Sequence, residues 1–159
     1  MGFGRTGRIE FASMPHVEKS ALVPYSAANM FALVDEVERY PEFLPWCGGT
    51  EVLERDRDKT VATIHIDYLG IRQSFTTENT KIDKHEMQMK LRNGPFDRLD
   101  GAWRFQALGE SACKVMLVLD YGFDNALLEK AVGPVFGVIA NTMIERFVSR
   151  ADALYGQSA

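Results

Sequence analysis

The sequence predicts an α+β fold in which a curved antiparallel sheet of about seven strands wraps round one long C-terminal helix, with two short helices after strand 1. Apolar and polar residues alternate through most of residues 50–123, and turn signals recur about every ten positions. Residues 125–155 then have a helical pattern. Because a curved sheet must cover its apolar face, and only the closing helix is long enough to lie across it, the two elements are expected to form one core.

The first elements are a strand and two short helices. Residues 16–23 are strand-like, Pro24 ends that pattern, and Ser26 is a suitable N-cap for a helix over residues 27–37. The apolar residues of this helix recur at spacings of three and four and form one stripe: Met30, Phe31, Val34 and Val37.

The central region predicts a meander of six strands joined by hairpins. Turn signals stand at Gly70, at Asn93-Gly94-Pro95 and at Gly109. Two strand faces are strongly apolar, and they carry Met87, Met89 and Leu91 on one strand and Leu99, Gly101, Trp103 and Phe105 on the next. Residues 113–123 form the most apolar strand.

The closing helix has no charged residue between Lys130 and Glu145 and is apolar round most of its circumference. Its inner face can cover the sheet or a ligand, whereas its outer face must meet solvent, the short helices, a membrane or a partner. Burial of both faces by the short helices is the simpler alternative. Pro134 predicts a bend or a restart of the helix. The uncharged stretch 131–144 would rise only ~21 Å, too little for the ~30 Å core of a bilayer.

Composition predicts one domain with its own core. Of 159 residues, 46% are hydrophobic and 25% are charged, and the formal net charge is −4. This mildly acidic balance disfavours unaided binding of DNA or RNA. Residues 1–14 are expected to be a flexible extension without a secretory core, 15–156 the domain and 157–159 a tail. The two separated cysteines, Cys47 and Cys113, favour a cytoplasmic protein, with peripheral contact at the inner face of the membrane as an alternative.

Five short runs together resemble a known family. They are Val-Pro-Tyr-Ser at 23–26, Tyr-Pro-Glu-Phe-Leu-Pro-Trp-Cys at 40–47, Asn-Gly-Pro-Phe at 93–96, Pro-Val-Phe at 134–136 and Arg-Ala-Asp-Ala-Leu-Tyr-Gly at 150–156. In this order they are similar to the coenzyme Q-binding START-domain family, which includes bacterial ribosome association toxins, within the polyketide cyclase and dehydrase (SRPBCC) superfamily. The resemblance spans residues 15–156.

The resemblance implies a helix-grip fold of the START or Bet v 1 type with an apolar tunnel between sheet and helix. Its quinone-binding members deliver or chaperone ubiquinone, so the expected bound molecule is ubiquinone or a related isoprenoid lipid, with no other cofactor. Its toxin-named members are said to bind the large ribosomal subunit and block subunit association. The family supplies no catalytic residue set.

Two groups of residues are the candidate ligand contacts. The apolar tunnel is expected to be lined by Phe43, Trp46, Met87, Met89, Leu91, Phe96, Trp103, Phe105, Val135, Phe136, Ile139 and Met143. A quinone carbonyl could accept a hydrogen bond from His65, Tyr68 or Arg72. The simpler interpretations are a filled core for the first group and a solvated sheet surface for the second.

The sequence therefore favours non-enzymatic binding of a hydrophobic ligand. His16, His65 and His85 lack metal-ligand spacing, and no hydrolase, kinase or dinucleotide motif is present. One alternative is ribosome binding through a basic patch formed by Arg98, Arg104, Arg146 and Arg150. A second alternative is a cyclase or hydratase that depends on His65 or Asp67.

Overall fold

The computed structural model describes residues 15–156 and shows a seven-stranded antiparallel sheet crossed by one long helix. The extension 1–14 and the tail 157–159 predicted from the sequence lie outside the described residues. The elements in chain order are β1 (His16–Val23), α1 (Ala27–Asp35), a 3₁₀ helix (Val37–Glu42), β2 (Cys47–Arg55), β3 (Lys59–Tyr68), β4 (Ile71–Ile82), β5 (Glu86–Asn93), β6 (Phe96–Ala107), β7 (Cys113–Phe123) and α2 (Ala126–Tyr155).

The sheet is a meander whose first strand joins the far edge. Strands β2 to β7 pair in sequence order, and β1 lies antiparallel to β7, which gives the order β1-β7-β6-β5-β4-β3-β2. The predicted hairpin at Gly70 is confirmed: Leu69 and Gly70 have φ of 52° and 82°, so both central residues of a two-residue turn are left-handed. The predicted fold class is confirmed.

Helix α1 starts as the sequence predicts but ends two residues early. The Ser26 Oγ accepts a hydrogen bond of 3.0 Å from the Asn29 N–H, the expected N-cap contact. Glu36 leaves the helical region, with φ of −82° and ψ of 67°, so Asp35 is the last helical residue. The apolar stripe nevertheless continues into the 3₁₀ helix, where Val37 is buried.

An ion pair ties the 3₁₀ helix to β2. Arg55 donates to both carboxylate oxygens of Glu38, at 2.7 and 2.8 Å, and to the backbone carbonyl of Asp35 at 2.7 Å. The guanidinium lowers the pKa of Glu38 from 4.5 to about 2. A carboxyl group whose pKa is lower in the folded state than in the unfolded state stabilises the fold at pH values above its unfolded-state pKa. This stabilisation is lost as the pH falls through its folded-state pKa.

The variant Arg55→Gln should therefore be less stable than the wild type by an amount that is constant above pH 4.5 and shrinks as the pH falls to about 2. The effect should be modest because Glu38 is half exposed. Urea unfolding of both proteins across this window measures it. A difference in unfolding free energy that stays unchanged to the acid end would contradict the assignment.

Helix α2 begins at the predicted cap and is not interrupted. The Asn125 Oδ1 accepts from the Leu128 N–H at 2.9 Å, and the helix runs through Pro134 to Tyr155. The predicted restart at Pro134 is therefore wrong. Proline leaves the carbonyl of Lys130 without its helical donor, but both residues are exposed, so water can satisfy that oxygen. Gly156 ends the helix in a right-handed conformation.

The two faces of α2 have different surroundings. Its inner face is buried against the sheet, whereas Leu127 and Val138 are 78% and 49% exposed, so the short helices do not cover its outer face. By length and composition the helix could cross a membrane, in contrast to the expectation from the shorter stretch 131–144. Core helices of soluble proteins pass the same test, and here the inner face packs on the sheet.

Aromatic rings hold α2 to the sheet at two places. Phe136 packs against Phe96 and Tyr121, with ring centroids 4.9 and 4.7 Å away. Farther along, Phe147 packs against Tyr40 and Trp103, at 5.4 and 5.1 Å. The two phenylalanines stand about 16 Å apart along the helix axis at 1.5 Å per residue. Between them, Ile139, Ala140 and Ile144 are buried on the inner face of the helix.

Candidate functional site

An enclosed apolar cavity of about 60 Å³ lies between the sheet and α2. Phe136, Ile139, Met143 and Phe147 form its helix side. The other walls come from α1, the 3₁₀ helix and the inner face of the sheet: Val34, Val37, Tyr40, Trp46, Ala62, Ile64, Phe75, Thr77, Asn79, Met87, Met89, Leu99, Trp103, Leu117 and Leu119. Alternation along each strand brings these side chains to one face.

Most of the apolar residues predicted from the sequence reach this cavity. Those that line it are Trp46, Met87, Met89, Trp103, Phe136, Ile139 and Met143. Those that do not are Phe43, Leu91, Phe96, Phe105 and Val135, which pack in or against the surrounding core. Phe96 stacks on Phe123 at 5.0 Å, and Phe105 meets Phe31 edge-on at 5.5 Å. A role in ligand binding stays a prediction for all twelve.

The polar head-group candidates are not among the residues that line the cavity, and a role in ligand binding stays a prediction for them. His65 and Arg72 lie on the outer face of the sheet, where His65 contacts Ser74 and Glu51 and Arg72 lies 3.7 Å from Asp67. Alternation in β3 puts Ala62 and Ile64 inward and therefore His65 outward. Tyr68 is on the inner side but packs at the end of the strand, away from the lining.

The polar groups that do line the cavity were missed by the sequence reasoning. Thr77 and Asn79 of β4 are 5% and 7% exposed, and the Thr77 hydroxyl donates to Asn79 Oδ1 at 3.0 Å. The indole Nε1 of Trp46 is buried without a hydrogen-bond partner. No charged side chain of residues 15–156 lines the cavity.

Tyr40 adds a polar group whose hydrogen bond is already made. Its hydroxyl donates to the carbonyl of Val34 at 2.5 Å. Burial raises the pKa of Tyr40 far above its ordinary value, so the phenol stays neutral. The cavity wall is therefore uncharged on this side as well.

The loop after the 3₁₀ helix contributes Trp46 to the cavity wall and is held against α2. Phe43 packs on Phe147 at 5.1 Å, and the guanidinium of Arg150 lies 5.0 Å from the Phe43 ring centroid. Arg150 also donates to Glu42 at 2.7 Å, which ties the end of the 3₁₀ helix to the last turns of α2.

Neither histidines nor cysteines form a second site within residues 15–156. No group of three or more His, Cys, Asp or Glu side chains there is arranged to hold a metal ion. Cys47 and Cys113 are buried and unbridged, and burial raises the pKa of both thiols, so they stay protonated and unreactive.

A sheet that grips one long helix round an enclosed apolar cavity defines a helix-grip domain of the START and Bet v 1 type. Residues 23–148 match the profile of a family described as polyketide cyclase / dehydrase and lipid transport, and the chain belongs to this family.

Curated relatives carry two kinds of name. The chain is 44% identical over 141 residues to the ribosome association toxin RatA of Pseudomonas aeruginosa, covering 89% of this chain and 98% of that protein. It is 40% identical over 142 residues to RatA of Escherichia coli, covering 89% and 90%. It is 23% identical over 154 residues to the mitochondrial coenzyme Q-binding protein COQ10 homolog B of Xenopus laevis, covering 94% and 61%.

Solved structures share the fold. An 18 kDa protein from Caulobacter crescentus is 28% identical, with a TM-score of 0.69 over 89% of this chain and 99% of that one. The Zhui aromatase/cyclase of Streptomyces is 22% identical, with a TM-score of 0.64 over 71% and 70% of the two chains. At this identity the second likeness shows the fold alone.

Proposed function

We propose that the protein binds a neutral isoprenoid quinone of the ubiquinone class in the cavity and acts as a non-enzymatic carrier or chaperone, in the cytoplasm or at the inner face of the membrane. The enclosed, uncharged, almost wholly apolar cavity is the observation that supports this proposal. Burial of a polyprenyl tail contributes ~25 cal/mol per Å² of apolar area removed from water. The name of the Xenopus laevis relative, a coenzyme Q-binding protein, points to the same ligand class.

The cavity must expand to admit such a ligand. Its volume of about 60 Å³ is well below the ~150 Å³ of a protein cavity that binds benzene. Met87, Met89 and Met143 line it, and methionine side chains repack at low cost because they are unbranched and flexible. Binding is therefore proposed to displace these side chains and the loop after the 3₁₀ helix, which carries Phe43, and to leave the sheet unchanged.

The direct test has two parts. Protein purified without detergent is extracted with organic solvent and the lipids are analysed by mass spectrometry. The same protein is then titrated with ubiquinone that carries a short isoprenoid tail. Co-purified quinone or saturable uptake at one site per chain supports the proposal, and a protein that neither retains nor takes up quinone contradicts it.

Filling the cavity should weaken the uptake of quinone without unfolding the protein. Ala62 is buried in β3 and lines the cavity, so Ala62→Val adds two methyl groups to the space that the ligand needs. Valine also favours strands, so we expect a stability within about 1 kcal/mol of the wild type and at least tenfold weaker uptake of short-chain ubiquinone. Calorimetric titration and urea unfolding measure the two effects.

The matched control is Ala102→Val. Ala102 is also a buried strand alanine, but it lies in β6 outside the cavity lining. This variant should take up quinone as the wild type does. Equal loss of uptake in both variants would show that the effect is not specific to the cavity.

An enzymatic role has less support. His65 and Asp67, on which a cyclase or hydratase was expected to depend, lie on the outer face of the sheet and not at the cavity. The relatives at 40% identity or more are named as toxins, whereas the cyclase neighbour shares the fold at 22% identity.

Ribosome association is the second candidate, because relatives 40–44% identical over most of the chain carry that name. The basic patch expected from the sequence stays a prediction. Arg98 and Arg104 belong to β6 and lie 3.8 and 3.7 Å from Asp100 and Glu86, while Arg146 and Arg150 belong to α2.

Sedimentation of ribosomal subunits with stoichiometric protein tests this candidate. A fall in joined particles supports ribosome binding. The variant Ala62→Val separates the two activities: if it still prevents joining but no longer takes up quinone, the ribosomal surface and the cavity act independently. If joining is unaffected by the wild-type protein, the ribosomal candidate fails.

A further inference from the structure

One residue of the cavity wall, Trp46, has a hydrogen-bond donor without a partner in the described part of the chain. Trp46 is 3% exposed and lines the cavity, and its Nε1 has no partner within the described part of the chain. An indole N–H can only donate. A buried donor without a partner is rare because its lost hydration is not compensated, and an acceptor on a ligand would remove that cost.

The pair Thr77 and Asn79 supplies a second donor in the same wall. The Thr77 hydroxyl donates to Asn79 Oδ1, which leaves the amide Nδ2 without a hydrogen bond to residues 15–156. If the amide were turned over, its nitrogen would donate to Thr77 and the hydroxyl proton would be spare instead. In either orientation of the Asn79 amide, at least one N–H or O–H of the pair has no acceptor within it.

The character of these groups restricts the ligand. The lining includes the unpartnered indole N–H of Trp46 and the Thr77 and Asn79 pair, and it includes no charged side chain of residues 15–156. A fatty-acid carboxylate would be buried here without a cation, at a large desolvation cost. A neutral head group with oxygen acceptors can satisfy the donors and introduces no charge.

We infer that Trp46, together with the Thr77 and Asn79 pair, forms a head-group site that selects a neutral acceptor, and therefore binds the oxidised quinone in preference to the quinol. The inference rests on the proposed function. A quinone carbonyl only accepts hydrogen bonds, which matches an indole that only donates. Each hydroxyl group of a quinol carries a donor of its own. A hydroxyl oxygen that accepts from the Trp46 N–H must therefore point its proton away from that N–H.

Three probes with the same tail of two isoprene units test the site by calorimetric titration. They are the oxidised ubiquinone, its quinol held reduced under argon, and geranylbenzene, which has no acceptor oxygen. The wild type should bind the quinone about tenfold more tightly than either of the others. Trp46→Phe keeps an aromatic ring at this position but removes the N–H, so most of this preference should disappear while binding of geranylbenzene is kept.

A second variant and a control guard against misfolding. Thr77→Val combined with Asn79→Leu replaces both members of a hydrogen-bonded pair, a change that is close to neutral for stability, and it should also lower the preference for the quinone. Ala102→Val lies outside the cavity lining, removes no donor and should leave the preference intact. Thermal unfolding confirms that each variant is folded.

The outcomes separate this inference from the proposed function. A wild type that binds none of the three probes overturns both. A wild type that binds all three equally, or a Trp46→Phe variant that keeps the full preference for the quinone, overturns the head-group site and leaves apolar binding in place. Loss of preference in both donor variants, but not in Ala102→Val, supports the inference.

Discussion

Replacing Phe136 by alanine should lower the free energy of unfolding by about 3–5 kcal/mol, as large-to-small changes of buried aromatic residues do. Phe136 is 3% exposed and packs against four neighbouring rings, those of Phe75, Phe96, Tyr121 and Phe123. These contacts join the first half of α2 to the sheet. Urea unfolding of the variant and the wild type measures the loss.

The same variant should gain the ability to bind a small aromatic molecule. Phe136 lines the cavity, so its truncation adds the space of a ring to the existing 60 Å³. Cavities of ~150 Å³ bind benzene. Benzene at 100 times its Kd should restore about 2.7 kcal/mol of stability to Phe136→Ala through linkage. The wild type should gain much less.

Phe123→Ala is the control for this prediction. Phe123 stacks on Phe96 and belongs to the same ring cluster, but it does not line the cavity. It should lose less stability, because it is only partly buried, and should not be rescued by benzene. Equal rescue of the two variants, or no rescue of either, would contradict the position of the cavity.

The sheet could be predicted from the sequence because its signal is local. Alternation in β5 and β6 places Met87 and Trp103 on apolar faces, and in the structure these two residues are direct cross-strand partners. Turn residues such as Gly70 mark where one strand ends and the next begins. Strands β2 to β7 each pair with their sequence neighbours, so their order follows without long-range information, whereas the pairing of β1 with β7 does not.

The polar part of the site could not be predicted in this way. Residues 76–80 of β4 are all polar, so no contrast between apolar and polar residues within this run marks Thr77 and Asn79 as inward-facing. Their direction is fixed by Phe75, two residues earlier on the same strand, and by pairing with β3 and β5. For His65 the signal was present, since Ile64 and Ile66 flank it and an apolar face covers a core.

The continuity of α2 through Pro134 also depends on tertiary structure. Val135 and Phe136 are buried against the sheet directly after the proline, so their packing offsets the hydrogen bond that the proline removes. The proline itself is on the exposed side, where its ring meets solvent. Local propensity predicts a break, and burial of the next turn prevents it.

Asp35→Ala should destabilise the protein by about 3–5 kcal/mol, because it leaves a buried lysine without its charge partner. The Lys81 side chain is only 7% exposed, and its Nζ donates to Asp35 Oδ2 and to the backbone carbonyl of Asp56, both at 3.0 Å. Asp35 Oδ1 also accepts from the hydroxyl of Thr60 at 3.1 Å. These contacts join the end of α1 to strands β3 and β4.

A second substitution distinguishes the buried charge from the lost contacts. Lys81→Met in the Asp35→Ala background removes the unpaired ammonium and should recover most of the loss, since apolar replacement of both partners is often neutral. Asp67→Ala is the surface control: Asp67 pairs with an exposed Arg72 at 3.7 Å, so its removal should change stability by about 0.5 kcal/mol or less. Two results would contradict this ion pair: Asp35→Ala lowers the free energy of unfolding no more than Asp67→Ala does, or Lys81→Met lowers it further in the Asp35→Ala background. Either result would mean that Asp35 does not hold the Lys81 ammonium as the structure shows.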